Sequence, residues 1–277
     1  MRIPAVITAA APQQRHLMHQ TLAREGSRLE TVAQFALNLL LPEGREPLVD
    51  RVAIVIPPGD TPRFQDLLEQ RRQPITLIEQ HAPFGYAEAL AQTRDFVAGG
   101  PVLHIVGDHF YLAHSGPAYG LTQQLLDTFA REGSSVSAVQ PTREGLLPYF
   151  GAVGGTPQSS SSGLPLYRID TVLEKPTPTE AEQRLYVPGL RAGHYLCFFG
   201  MHVFTPTLFD ILAQRPGSLS AALQILAQRE PLLATVLPGA RFDLGARYGI
   251  LQAQLALGLQ GPDREEILAL LVELMAR

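Results

Sequence analysis

Cysteine and lysine are almost missing from this chain. A single thiol, Cys197, in 277 residues leaves no internal disulfide, so a reducing compartment is expected. Lys175 is the one lysine among 22 basic residues. Two explanations stay open: drift toward arginine codons, or retention of a compact ammonium where a wide planar guanidinium does not work. Excess charge of one sign is absent too. With 22 basic and 26 acidic residues the net charge is −4, and no basic stripe calls for nucleic acid or an anionic membrane. No run reaches the roughly 18 apolar residues of a membrane span, and residues 1–7 are too short an apolar stretch for a signal peptide. A cytoplasmic protein is expected. The chain also lacks a Walker Gly-Lys-Ser/Thr and a dinucleotide Gly-x-Gly-x-x-Gly, and His114-Ser115-Gly116 lacks the first glycine of a nucleophile elbow.

What is present is a globular composition. Hydrophobic residues make up 45% and charged residues 17%, with 24 Gly and 23 Pro, which excludes a disordered tail, a collagen and a coiled coil. Short apolar runs predict strands at 3–10, 51–56, 75–78, 102–106 and 135–139. Helices are predicted at 29–41, from a Thr61 cap with Pro62 at the first position, and at 86–97 and 121–131. The second half predicts strands at 150–153, 167–173 and 194–204, with residues 154–163 as a flexible hairpin tip. Its helices are expected at 207–213, 218–228, 245–257 with a stop at Gly258, and 265–275 behind an Asp263 cap. Alternating strands and helices predict an α/β fold: a Rossmann-like three-layer α/β/α arrangement around a central mixed, mostly parallel sheet. Ligands would sit at the carboxyl ends of its strands.

Five segments stand in a telling order. The run Ala5-Val6-Ile7-Thr8-Ala9-Ala10-Ala11-Pro12-Gln13-Gln14-Arg15 leads a strand through small residues to an arginine. Then come Gln80 with Gly85-Tyr86-Ala87-Glu88-Ala89, Val106-Gly107-Asp108, Glu174-Lys175-Pro176, and Phe242-Asp243-Leu244-Gly245. Together they resemble the sugar-1-phosphate nucleotidylyltransferases, closest to bacterial UTP–glucose-1-phosphate uridylyltransferases, over roughly the whole chain. Order and spacing carry the resemblance.

The resemblance implies one domain over 1–277, with a nucleotide-binding half at 1–140 and a sugar-binding half plus C-terminal helices at 141–277. It implies transfer from UTP or dTTP to a hexose-1-phosphate, with Mg²⁺ as cofactor. Ala9, Ala10, Ala11 and Arg15 would hold the nucleotide phosphates, and Gln80 and Gly85 the base. Asp108 and Asp243 would be metal ligands, oxygen donors of the kind Mg²⁺ shares with phosphates. Gly151 and Glu174 would meet the sugar, and Lys175 its phosphate. Arg15, Lys175 and Asp108 would be the catalytic group.

Each residue has a plainer reading. Arg15 serves as a solvated loop arginine, the two aspartates as turn caps, Glu174 and Lys175 as a surface ion pair, Gly151 as a bulge and Gln80 as a polar loop residue. The first loop departs from the family's Gly-x-Gly-Thr-Arg: Ala11 and Gln13 replace glycines, and Pro12 has no N–H to offer a phosphate. The lysine that the family carries soon afterwards is missing, leaving Arg24 and Arg28. A second reading is therefore a catalytically weak or inactive nucleotide-sugar-binding homologue with a regulatory or interaction role. A third is an interaction or homo-oligomeric protein using its last helix. Cys197 reads as core, and His104, His109 and His114 do not read as a shared metal site.

Overall fold

The computed structural model describes residues 2–11, 15–24, 29–68, 75–81, 85–161, 163–215 and 217–276. In chain order the strands are β1 (Ala5–Thr8), β2 (Thr21–Ala23), β3 (Leu29–Thr31), β4 (Val52–Ile56), β5 (Ile75–Glu79), β6 (Val102–Val106) and β7 (His109–Ala113). They continue as β8 (Val136–Arg143), β9 (Gly151–Gln158), β10 (Leu166–Glu174), β11 (His194–Phe204), β12 (Leu233–Val236) and β13 (Gly239–Asp243). The helices are α1 (Val32–Asn38), α2 (Thr61–Leu68), α3 (Tyr86–Ala91), α4 (Arg94–Val97), α5 (Tyr119–Glu132) and α6 (Pro178–Arg184). They end with α7 (Thr207–Leu212), α8 (Leu219–Arg229), α9 (Gly249–Gln260) and α10 (Arg264–Met275).

Nine strands form one sheet in the order β5-β4-β1-β6-β11-β8-β12-β10-β9, drawing on both halves of the chain. The sheet is mixed. Seven strands point one way, but β10 and β11 oppose them, so five of the nine pairings are antiparallel. By pairing, the expected mostly parallel sheet is therefore corrected to an evenly mixed one. The continuous apolar runs of β1, β4 and β6 suit burial on both faces, since alternate side chains of a strand point to opposite sides. Ala5, Ile7, Ile54 and Ile105 join a core with residues of α1, α5 and α9. Val6, Ala53, Val55 and Val102 join a second core with residues of α3, α7 and α8.

Several boundaries move for local reasons. Helix α1 starts only at Val32, because Thr31 and Gln34 form a reciprocal capping box that ends strand β3. The single helix expected at 86–97 breaks where the buried Thr93 hydroxyl donates to the Leu90 carbonyl at 2.7 Å. Thr61 does not cap α2; it is that helix's first residue, and its hydroxyl donates to Glu79 at 2.6 Å. Asp263 precedes α10 without a side-chain cap bond. Strand β9 runs on to Gln158, so the hairpin tip is shorter than expected. Gly258 does not stop α9: a Cβ there would run into Ile267, so the glycine is where α10 crosses. No helix among the described residues is long and apolar enough to cross a membrane.

Strand order places the candidate site. From β1 the chain goes to β4 and β5 on one side, then returns to β6 on the other. That reversal opens a crevice beyond the carboxyl ends of β1 and β6, where open α/β sheets take ligands.

Candidate functional site

Two acids far apart in sequence meet at that crevice. Strand β6 ends at Val106, and the chain turns through Gly107 and Asp108 into β7. Rather than joining the main sheet, β7 pairs antiparallel with β13, setting Asp243 opposite His109 and Arg241 opposite Tyr111. The Leu244 N–H donates to the Asp108 carbonyl at 3.0 Å, so the ribbon brings Asp108 beside the end of β13. Asp108 is buried. Its Oδ2 accepts a hydrogen bond from the Tyr86 hydroxyl at 2.8 Å, and its Oδ1 is buried with no partner. Burial pushes its carboxyl up to about 6; the Tyr86 bond opposes this, and the Asp243 charge adds to it. The Tyr86 hydroxyl is raised as well, first by burial, then by Asp108 and Asp243. Asp243 also serves its turn, with Oδ1 accepting the Gly245 N–H at 2.9 Å.

The sugar-side candidates form a second group. Glu174 closes β10 opposite Gly151 of β9, and its Oε2 accepts a hydrogen bond from Ser220 of α8. A Cβ on Gly151 would lie 2.9 Å from both the Phe198 ring and the Ser220 hydroxyl, and 3.3 Å from the Glu174 carboxylate. The glycine is thus required by close packing, and the bulge in this hairpin falls instead between Ile169 and Thr171. Lys175 follows at φ 47°, a left-handed backbone that non-glycine residues seldom adopt. Its N–H donates to the Phe150 carbonyl at 3.2 Å, and the residue is exposed.

The remaining candidates are bonded to the protein itself. Arg15 is not a free loop cation: its Nε and Nη2 grip the carboxylate of Asp60, just beyond β4, with Nε at 3.2 Å from Oδ2. The Asp60 side chain is 1% exposed and the Arg15 side chain 48%. Gln80 is buried, and its amide donates to the Gly85 carbonyl at 3.3 Å. Gly85 has φ 87° and starts α3, the helix that carries Tyr86. Ala9, Ala10 and Ala11 follow β1, with Ala9 N–H donating to Val55 at 2.8 Å; Pro12, Gln13 and Gln14 lie outside the described residues. His104 is a core residue, bonded to Thr8 at 2.9 Å and stacked on His202. Among the described residues no three His, Cys, Asp or Glu gather as a metal cluster.

Tyr86, Ser220 and Asp60 bond to candidate residues, and the sequence alone does not single them out. Tyr86 lies in the Gly85–Ala89 segment, but only the fold brings its hydroxyl to Asp108.

A mixed α/β sheet with paired acids at its switch point puts the chain among the α/β proteins, a class whose ligands sit at the carboxyl ends of the strands. Comparison with known proteins narrows the class. The nucleotidyl transferase family model matches residues 12–257, and the chain belongs to that family. It is 28% identical over 191 residues to a UTP–glucose-1-phosphate uridylyltransferase of Streptococcus pneumoniae, covering 67% of this chain and 59% of that protein. It is 28% identical over 210 residues to the uridylyltransferase YngB of Bacillus subtilis, covering 73% of this chain and 64% of that one. The chain therefore spans about three fifths of these relatives. In fold it is similar to a UDP-glucose pyrophosphorylase complexed with UDP-glucose (TM-score 0.72, 18% identity, 94% of this chain and 100% of that one). It is also similar to a UTP-bound enzyme of Acinetobacter baumannii (TM-score 0.73, 17% identity, 99% and 100%).

Proposed function

We propose that this protein transfers a uridylyl group from UTP to a hexose-1-phosphate, with glucose-1-phosphate the first candidate, releasing pyrophosphate. The carrying observation is the pairing of Asp108, with its unpartnered buried Oδ1, and Asp243 at the switch point. The strand order supports a Rossmann-like nucleotide half at 1–140, with the sugar half at 141–277 in the same domain. A cytoplasmic setting suits the single buried thiol.

The sugar-phosphate oxygen is already ionised at neutral pH, so no general base is required. It attacks the α-phosphorus, and the bond to the β-phosphate breaks with its electron pair leaving on pyrophosphate. The protein contributes positioning and charge neutralisation. Lys175 holds the attacking phosphate, Glu174 and the Gly151 backbone hold the sugar hydroxyls, and Gln80 and Gly85 hold the base. Arg15 spends Nε and Nη2 on Asp60 and offers Nη1 to the leaving phosphates. Asp108 and Asp243 would hold Mg²⁺, and the unpartnered oxygen of Asp108 suits an ion that takes one or two carboxylates plus phosphate oxygens. Bound there, the ion would neutralise the phosphate charge. dTTP is the alternative donor, because an amide such as Gln80 pairs with either pyrimidine edge.

A specific feature favours a second reading. Pro12 in the first loop has no N–H for a phosphate, which suits a homologue that binds nucleotide sugar without turning it over. Pyrophosphate release decides between them, assayed with UTP and dTTP against a panel of sugar phosphates, with and without Mg²⁺. Release with UTP and glucose-1-phosphate supports catalysis. Binding of UDP-glucose by calorimetry with no release from any pair rejects it.

A further inference from the structure

Arg241 lies outside every role assigned above, yet it joins both groups of site residues. It sits on β13 two residues before Asp243, so both side chains leave the same face of the strand. Its guanidinium is buried, with Nε lacking any partner, and among the described residues it forms no ion pair with a carboxylate. A buried, unpaired cation is costly, and a neutral side chain could fill the same space at lower cost. Two contacts account for its position. One guanidinium N–H donates to the Phe198 carbonyl, where the register of β11 against β8 shifts. The guanidinium carbon lies 3.6 Å from the centre of the Phe150 ring, close enough for strong cation–π attraction.

Both partners lead to the sugar side. Phe150 supplies the carbonyl that anchors the left-handed Lys175, and it precedes Gly151. Phe198 presses its ring on Gly151, whose register partner is Glu174. We propose that Arg241 is a positioning residue for the sugar phosphate: clamped between the Phe150 ring and the Phe198 carbonyl, it sets the 150–151 segment on which Lys175 and Glu174 are held, and ties it through β13 to Asp243. The inference rests on the sugar-phosphate reading of Lys175.

The test compares Arg241→Met, Arg241→Lys, Phe150→Leu and Phe150→Tyr with the wild-type chain. Arg241→Met and Phe150→Leu should each raise the KM for glucose-1-phosphate about tenfold, with the KM for UTP changed less than about twofold. Their double variant should be no worse than Arg241→Met alone, because that variant has already lost the Phe150 contact. Arg241→Lys should fall between, and Phe150→Tyr, which keeps the ring, should retain wild-type KM. A purely structural Arg241 would instead lower Tm and shift both KM values together, or the two losses would add; either result overturns the inference. If Arg241→Met fails to fold, Phe150→Leu and Phe150→Tyr give the same contrast. If the wild type turns nothing over, calorimetry with UDP-glucose and UMP, which lacks the sugar-derived phosphate, replaces the kinetics: Arg241→Met should weaken only UDP-glucose. Equal UDP-glucose binding by wild type and Arg241→Met rejects the inference alone, whereas a wild type that binds neither ligand rejects the proposed function and the inference with it.

Discussion

The two sides of the candidate site differ in how many of their polar groups are already bonded. On the nucleotide side they bond to one another: Arg15 to Asp60, Gln80 to Gly85, Tyr86 to Asp108. On the sugar side Glu174 accepts from Ser220, but Lys175 is exposed, held by its backbone alone, and forms no ion pair among the described residues. A ligand on the first side must exchange with bonds already made, while on the second it meets a charge that is waiting. Substitutions should therefore act differently on the two sides, with the largest losses where no internal partner substitutes for the missing group.

Lys175→Arg gives the sharpest contrast. It keeps the charge but replaces a point cation with a planar fork, and at an exposed position it should leave Tm unchanged. Turnover measured by pyrophosphate release should fall at least about a hundredfold, a loss of roughly 3 kcal/mol of transition-state stabilisation. Wild-type rates would remove Lys175 from the chemistry and leave its left-handed backbone unexplained.

Asp108→Asn tests the other side, where the effect should show in stability as well as in turnover. The folded carboxyl titrates at about 6 against an ordinary value of 3.8. The folded state therefore holds its proton more tightly than the unfolded state does, and stability falls as pH rises through that window. In metal-free protein the carboxylate costs about 3 kcal/mol at pH 7. Urea unfolding should show Asp108→Asn gaining on wild type between pH 4 and pH 7 by up to that amount, while losing Mg²⁺-dependent turnover. A stability gap that does not change with pH would mean that Asp108 titrates normally.

Gly151→Ala should cost about 1–3 kcal/mol in urea unfolding, the usual range for overpacking. Its Cβ meets Phe198, Ser220 and Glu174 together. If the variant matches wild type in both stability and glucose-1-phosphate KM, the sugar side is looser than the packing indicates.

Legibility followed the same division. Asp108, Glu174 and Lys175 stand out in the sequence because each ends or follows an apolar run within a segment that resembles the family's, and Lys175 is also the lone lysine. Asp243 was found by its motif, although its strand β13 was not anticipated. Tyr86, Ser220, Asp60 and Arg241 were not found. Each is an ordinary polar or aromatic residue whose role depends on a partner brought by tertiary packing. Gly258 shows the limit in another form, since a glycine that stops a helix and one that lets a second helix cross look identical in sequence. The sheet's direction failed likewise: short apolar strands suit both parallel and antiparallel neighbours, and only the pairing of β10 and β11 distinguishes them.

Tyr86→Phe is the smallest change and the finest probe of the nucleotide side. It removes one hydroxyl that donates to Asp108 Oδ2 while keeping the ring. That bond lowers the Asp108 carboxyl against burial, so its loss should raise the carboxyl further and take the hydroxyl donor from Oδ2. A hydrogen bond to a charged group is worth about 1.5–3 kcal/mol, but water reaching the vacated space would offset part of this. The expected effect is a threefold to tenfold weaker Mg²⁺ requirement constant, read as the metal concentration at half-maximal turnover, with the KM for glucose-1-phosphate unchanged. If instead the variant binds Mg²⁺ more tightly, Tyr86 is a competitor that the ion displaces from Asp108, and the internal bonds of this side act as a brake on ligand entry rather than as its preparation.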